Sequence, residues 1–323
     1  MHLLIYLPLA IPLLAALAAR PLAERLPPRT ATWLLTGSAV ALAGASCAVL
    51  GLLALAAAVR IPLVDSVGGM SLRAVDRGDP AVALPLGVLA GALLGAAVLA
   101  ALRAGWLRTL ALVTAHRQTR RLAGARRLPG TRNAVIVADD GVDAYTVPGW
   151  PSQIVVTSGM LAALSPAERE VMLAHERAHA TACHYLFMAA ARLAAAANPL
   201  LSPLAGAIGY SVERWADEQA ATAAGSRPLT ARTIAKAALA ASAAPARRES
   251  AAVLLGVLPG QALGPSAGLV PRRVAALLAP PPRRQLALVA MAVALVAVSC
   301  VSTVTAASDL HGLIEFAQAA AIS

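Results

Sequence analysis

Residues 171–184 read VMLAHERAHATACH and place two histidines four positions apart, with a glutamate directly after the first. Residues four apart lie on one face of an α-helix, so His175 and His179 can bind one metal ion through their imidazole nitrogens. Glu176 lies beside that face, where its carboxylate can hydrogen-bond a water molecule without binding the metal. A solvated helix face without metal would carry the same residues, so features elsewhere in the chain must distinguish the two.

The residues before the histidines contain a strong helix-start signal. Ser165 can cap the free amides, Pro166 suits the first helical position, and Glu168 can complete a capping box. Three segments further upstream are rich in β-branched residues or tyrosine, and Gly and Pro signals separate them: NAVIVADD (133–140), DAYTV (143–147) and QIVVTS (153–158). The sequence therefore predicts a small sheet followed by a capped helix that carries the histidines.

A catalytic zinc site needs a third protein ligand, and a later helical segment offers one. The sequence ERWAD places Glu213 and Asp217 four positions apart, with the small residues Ala216 and Ala220 nearby to allow close approach of the two helices. Glu213 is predicted as the third ligand and Asp217 as the hydrogen-bond partner of a ligand histidine. These independent features favour the metal site over the plain helix.

The composition is typical of a membrane protein. Of the 323 residues 59% are hydrophobic and only 13% are charged, about half the charged share of an ordinary soluble domain. The net charge of +11 does not indicate a nucleic-acid partner, because the arginines cluster beside apolar segments and few aromatic residues are interleaved. Four segments are long enough to cross a lipid bilayer: 2–19, 31–59, 81–102 and 286–307.

The arginines orient these segments, because short cytoplasmic loops are enriched in arginine and lysine. Residues 20–30 contain three arginines and one acid, whereas residues 60–80 contain three of each. Residues 103–127 contain seven arginines and no acid. The first and third of these stretches are therefore predicted to be cytoplasmic and the second extracytoplasmic.

This orientation predicts the domain plan. Residues 1–102 hold three transmembrane helices, 103–285 form a cytoplasmic domain, 286–307 are a fourth transmembrane helix, and 308–323 are a short extracytoplasmic tail. The first segment is interpreted as a retained span, since no positive charge precedes Arg20. Both termini are expected outside a bacterial cytoplasmic membrane.

Two parts of the cytoplasmic domain have a less definite pattern. Residues 186–212 carry one charge, Arg192, and are either buried helix or a membrane-dipping hairpin, with breaks at Asn-Pro and Ser-Pro. Residues 245–285 are rich in Pro, Gly and Arg and are predicted to be a loosely structured return to the membrane.

The run DAYTVPGWPSQIVVTSGMLAALSPAEREVMLAHERAHATACHYL, followed by NPL and ERWADEQAA, resembles the membrane-embedded gluzincin peptidases of the BlaR/MecR type. The same motifs are more distantly similar to those of the HtpX and CAAX prenyl proteases. The resemblance implies an α-helical polytopic membrane protein with a mainly helical α+β metalloprotease domain that carries a small sheet. It implies one zinc ion per chain bound by His175, His179 and Glu213, with Glu176 catalytic and Asp217 supporting a ligand.

The resemblance also implies a zinc endopeptidase that cleaves a protein substrate, such as a winged-helix transcriptional repressor or itself. Housekeeping proteolysis of damaged membrane proteins, as in HtpX relatives, is the second enzyme hypothesis, and a catalytically silent signalling scaffold is the third. Antibiotic-sensing members of this type carry a large extracellular sensor after the last span. Only about sixteen residues follow the fourth segment here, so direct β-lactam sensing is not expected.

Peptide hydrolysis needs further groups that the sequence narrows but does not choose. Glu176 is expected to take a proton from an activated water and pass it to the leaving amine. Tyr210, His184 and Tyr185 are candidate oxyanion donors, but the sequence favours a packing or surface role for each of them. The substrate is expected to add as an extended strand to a sheet edge, and residues 143–147 are either that edge or an internal strand.

Overall fold

A computed structural model describes residues 3–58, 80–121, 127–128, 131, 133–149, 151–243, 269–283 and 285–322. In these residues the chain is mainly helical, with one three-stranded sheet. The elements, in chain order, are α1 (Leu7–Arg25), α2 (Pro28–Ala58), α3 (Pro80–Arg121), β1 (Ala134–Val137), β2 (Ala144–Val147), β3 (Gln153–Thr157), α4 (Ser158–Ala163), α5 (Pro166–Thr181), α6 (His184–Ala197), α7 (Ser202–Ala224), α8 (Arg227–Ala243), α9 (Val270–Leu278) and α10 (Leu286–Ile322).

The prediction of four membrane-crossing helices is confirmed by length and composition. The apolar helical segments are Leu7–Arg25, Pro28–Ala58, Leu84–Ala115 and Leu286–Gly312. On α3 and α10 many large apolar side chains are exposed, among them Leu99 at 68% and Val304 at 64%. Exposed apolar surface of this extent requires a nonaqueous neighbour, which a bilayer supplies.

The helices are longer than the predicted spans. α1 begins at Leu7 and continues to Arg25, so the predicted loop 20–30 is reduced to the few residues before α2. The cause is burial, because Leu22 and Ala23 extend the buried face of α1 by one turn. α3 likewise continues beyond its predicted end, to Arg121.

The three predicted strands are confirmed and form one sheet in the order β1-β3-β2. β1 pairs with β3 in parallel, and β2 pairs with β3 in antiparallel orientation with Tyr145 opposite Val155. Within the described residues β2 is therefore an edge strand. One face of the sheet packs on α5, because Ile154 and Val156 share a buried cluster with Leu173.

The capping box at the start of α5 is also confirmed. The Ser165 hydroxyl accepts a hydrogen bond from the backbone amide of Glu168, and the Glu168 carboxylate accepts one from the backbone amide of Ser165 at 2.8 Å. Lys236 of α8 lies 2.7 Å from the same carboxylate. The cap therefore fixes the first turn of α5 and ties it to α8.

We expect Ser165→Ala to destabilise the protein by about 1 kcal/mol, because a capped amide loses its partner. Thermal unfolding of the detergent-solubilised protein would measure the change. Ser242→Ala is the matched control, since Ser242 is exposed near the end of α8 and bonds only the carbonyl of Ala238 in its own helix. Equal unfolding temperatures for the two variants would contradict the assigned role of the cap.

The Asn-Pro and Ser-Pro breaks predicted in residues 186–212 separate α6 from α7. α6 ends at Ala197 and α7 begins at Ser202. α6 packs against α2, and α7 packs against both α1 and α2. Their buried side chains belong to one cluster that includes Phe187, Ile208 and Leu42. The helices on either side of the break therefore lie directly against candidate membrane spans.

The prediction of a loosely structured return over residues 245–285 is wrong for 270–278, which form α9. Leu277 is buried, and it packs with Val274 against Ala231 and Ile234 of α8. This apolar contact supplies the stability that the local composition did not suggest. Residues 244–268 lie outside the described part of the chain.

Candidate metal centre

The donor group consists of three side chains from two helices, His175, His179 and Glu213, whose metal-binding atoms lie close together. The Nε2 atoms of His175 and His179 lie 3.1 Å apart. Glu213 places Oε2 3.7 Å from the first of these nitrogens and Oε1 3.6 Å from the second. Ligand atoms about 2.05 Å from a tetrahedral zinc ion lie roughly 3.3 Å from one another, so these spacings fit one zinc ion.

Helix geometry and small residues create this arrangement. The i,i+4 spacing on α5 puts His175 and His179 on one face, and α7 packs against that face with Ala216 and Ala220 fully buried. The close approach brings Glu213 of α7 to the two imidazoles. The structure thus brings together the three residues that the sequence predicted as ligands.

An ion-pair network supports the side of His175 away from the donor group. Its Nδ1 lies 3.0 Å from Oδ1 of Asp217, the residue predicted to be the hydrogen-bond partner of a ligand histidine. Arg273 of α9 binds both carboxylate oxygens of Asp217, at 2.6 and 2.8 Å, and lies 2.8 Å from Oε2 of Glu213. The Arg273 side chain is 5% exposed. Its guanidinium therefore fixes the positions of both carboxylates relative to each other.

His184 supports the second histidine. Cys183, with φ 51°, turns the chain sharply between α5 and α6. Because of this turn, Nδ1 of His184 lies 3.0 Å from Nδ1 of His179. A hydrogen bond here, with His179 as donor, leaves Nε2 of His179 free for a metal.

The structure distinguishes between the three candidate oxyanion donors. Tyr210 places its hydroxyl 3.5 Å from the carbonyl of Arg272 and does not line the cavity at the site. His184 and Tyr185 do line that cavity. Since Nδ1 of His184 faces another imidazole, Tyr185 remains the candidate whose side chain is not engaged with the metal-binding histidines.

Glu176 is 2% exposed and is held by a threonine of the edge strand. The Thr146 hydroxyl lies 2.8 Å from Oε2 of Glu176 and 2.9 Å from its backbone carbonyl. Burial raises the pKa of Glu176 to about 7, although His175 and the Thr146 hydroxyl lower it in part. A carboxyl with this pKa can both accept and release a proton near neutrality.

The ligand candidates differ in charge. Burial lowers the pKa of His175, but the carboxylates of Asp217 and Glu213 outweigh burial and raise it to about 9. Burial lowers the pKa of His179 to about 3, so this imidazole is neutral. Burial raises the pKa of Glu213, but the charge of Arg273 and the contact with protonated His175 outweigh that effect and keep the group ionised.

Zinc binding is therefore expected to depend on pH through His175. The pKa of His175 is about 9, so at lower pH the imidazole carries a second proton. This proton must leave before Nε2 can bind a metal. Between about pH 6 and 8, the zinc dissociation constant should rise roughly tenfold for each unit by which the pH falls. Competition with a chelator of known affinity would measure this slope.

Asp217→Asn is the control for this dependence. Removing the carboxylate lowers the pKa of His175, so the slope should become shallower in the variant. A zinc affinity independent of pH in the wild type would contradict the assignment of the proton to His175.

A cavity of about 660 Å³ opens beside the donor group. Its wall includes Glu176, His179 and Glu213 together with Thr146 at the edge strand. Metal-dependent peptide hydrolysis requires an acid–base group, a metal-binding group and a place for an extended chain within reach of one another. These three requirements meet in this cavity.

Sequence reasoning missed Thr146 and Arg273 as residues of the site. Thr146 lies inside the predicted edge strand, but nothing in DAYTV indicates which side chain faces α5. Arg273 lies in a segment predicted to be loose, and one arginine among many gives no signal by itself. Side chains alternate along a strand, so Thr146 and Tyr145 lie on opposite faces of the sheet. This alternation is the only signal in the sequence that bears on the position of Thr146.

Comparison with known proteins adds one finding. A family model described as peptidase family M48 matches residues 113–280, slightly more than half of the 323-residue chain. The match spans the sheet, α5 and α7, and it includes every residue of the donor group. No curated protein and no solved structure matches the chain.

Proposed function

Because the chain belongs to peptidase family M48, we propose that it is a membrane-embedded zinc endopeptidase that cleaves a protein substrate. The three donor residues bind one zinc ion, Glu176 is catalytic, and Asp217 holds the first ligand histidine. One observation carries the proposal. Edge strand β2 holds Glu176 through Thr146 in the same cavity as the metal-binding atoms.

The chain's own residues account for the proton transfers. Bound zinc supplies a Lewis acid that acidifies water and polarises the peptide carbonyl. Glu176 accepts the proton that the attacking water loses and then donates it to the nitrogen of the leaving amine. Thr146 keeps the carboxylate in place during both transfers, since its hydroxyl lies within hydrogen-bonding distance.

The substrate adds to β2 as an additional strand. Within the described residues the outer edge of β2 has no strand partner, and its amides and carbonyls can pair with an extended peptide. Pro148 and Gly149 follow the strand and line the cavity. A backbone-paired peptide would therefore pass directly beside Glu176.

Regulated proteolysis is the leading biological role. The motifs resemble the BlaR/MecR type, and we propose a winged-helix repressor, or the chain itself, as the substrate. The arginine distribution supports a cytoplasmic site in a bacterial inner membrane, with both termini outside. A cytoplasmic repressor would then have direct access to the cavity.

Membrane-protein quality control is the second candidate, and one structural observation favours it. α6 packs against α2, and α7 packs against both α1 and α2, so the site lies close to the spanning helices. A substrate segment that leaves the bilayer would therefore be close to the cavity.

Cleavage assays on the purified full-length protein would test the proposal. We expect zinc-dependent cleavage of unfolded casein, and efficient cleavage at one site of a repressor encoded nearby. Broad cleavage of misfolded membrane proteins, with no preference for the repressor, would favour the second candidate. Zinc binding without cleavage of any of these proteins would indicate a silent scaffold and would overturn the proposal.

A further inference from the structure

The catalytic cavity contains a cation that the proposed chemistry does not use. Arg192 of α6 lines the cavity and is half-buried. The cavity's other arginine, Arg273, is paired with Asp217 and Glu213. By contrast, no acidic side chain among the described residues forms an ion pair with Arg192, and burial lowers its pKa.

A second arginine lies on α3, the helix that packs against α6 near Arg192. Arg108 of α3 is also half-buried, and the charge of Arg192 repels it. The two helices are in contact one turn away, where a Cβ at Gly105 would lie 3.8 Å from Leu193 Cδ2. Two like charges partly removed from water are unfavourable together, and an anion bound between them would relieve this repulsion.

We propose that Arg192, assisted by Arg108, forms a subsite for an acidic side chain of the protein substrate. This inference rests on the proposed peptidase function and specifies its substrate class. It is favoured over a lipid headgroup because Arg192 shares a cavity wall with Glu176 and His179. An anion paired with Arg192 therefore occupies the space that a bound peptide must enter.

The helix rise locates this subsite relative to the scissile bond. Arg192 follows His184 by eight residues on α6, which is about 12 Å along the helix axis. His184 contacts the metal-binding group through His179. An extended peptide advances about 3.3 Å per residue, and both side chains are long. The acidic residue therefore lies roughly two to four positions from the cleaved bond.

A peptide-library digest tests the inference with a mixture that contains every side-chain type at each position. Full-length protein in neutral detergent would digest a proteome-derived library, and mass spectrometry would identify the cleaved bonds. Wild type should enrich Asp and Glu at one position within this distance. Arg192→Gln should lower kcat/KM for the acidic peptides about 10- to 100-fold and leave neutral peptides unchanged. Arg192→Glu should favour Lys and Arg at the same position.

Matched variants exclude a merely structural effect. Arg192→Lys keeps the charge and should retain the acidic preference, and Arg108→Gln should weaken it in part. Arg177→Gln is the control, because Arg177 is exposed on α5 and is not part of the cavity wall. Its cleavage pattern should equal that of wild type.

Three outcomes would overturn the inference, and they differ in what they say about the peptidase. Cleavage of the library with no acidic preference overturns the subsite alone. Failure to cleave either the library or casein overturns the peptidase function as well. The third outcome comes from nanodiscs. In this outcome, anionic lipid in the nanodiscs raises the cleavage rate of all peptides equally in the wild type but not in Arg192→Gln. That result would show that the arginines bind lipid headgroups.

Discussion

Glu176→Gln is expected to lower the rate of peptide cleavage by about 10²- to 10⁴-fold, the usual contribution of a general acid–base group. The substituted amide has almost the same shape but cannot accept a proton. Because Glu176 is not among the three donors, zinc should still bind at one ion per chain. Cleavage kinetics and metal analysis on the same preparation would measure both effects.

Glu170→Gln is the matched control for this experiment. Glu170 lies on the same helix but is exposed to solvent, so its substitution should leave both activity and metal content unchanged. Retention of full activity in Glu176→Gln would exclude Glu176 as the proton carrier. Loss of zinc from that variant would show that its effect is on the site's assembly.

Arg273→Ala is expected to destabilise the protein by about 3–5 kcal/mol, because it leaves buried acids without their partner. Asp217 and Glu213 both contact this guanidinium, so the variant should also bind zinc about 10- to 100-fold more weakly. Chemical unfolding of the metal-free protein and zinc titration would separate the two effects.

The neighbouring residue supplies the control. Arg272 lies on the same helix and pairs with Glu24 at 2.7 Å, but its side chain is 32% exposed. Exposed pairs of this kind contribute about 0–1 kcal/mol, so Arg272→Ala should have a small effect on stability and none on zinc binding. Equal effects of the two substitutions would contradict the role assigned to Arg273.

Local sequence signals predicted the parts of the fold that depend on local interactions. The capping box at Ser165 begins α5 as predicted, and β-branched runs mark the three strands. The i,i+4 spacings of HERAH and ERWAD predicted which side chains share a helix face. The structure brings those two faces together at Glu213.

Interactions between distant segments could not be predicted in the same way. α9 is stabilised by contact with α8, and its arginine reaches the site only because the chain returns there after residues 244–268. The partnership of Thr146 with Glu176 joins residues 30 positions apart. Such contacts depend on how elements pack, and one sequence records no pattern for them.

The central claim is that His175, His179 and Glu213 hold a zinc ion that peptide cleavage requires. Removing all metal from the purified full-length protein and adding zinc back in steps, with cleavage of casein measured at each step, tests it most directly. We predict no cleavage by the metal-free protein and a rise that saturates at one zinc per chain. Undiminished cleavage by the metal-free protein would contradict the claim.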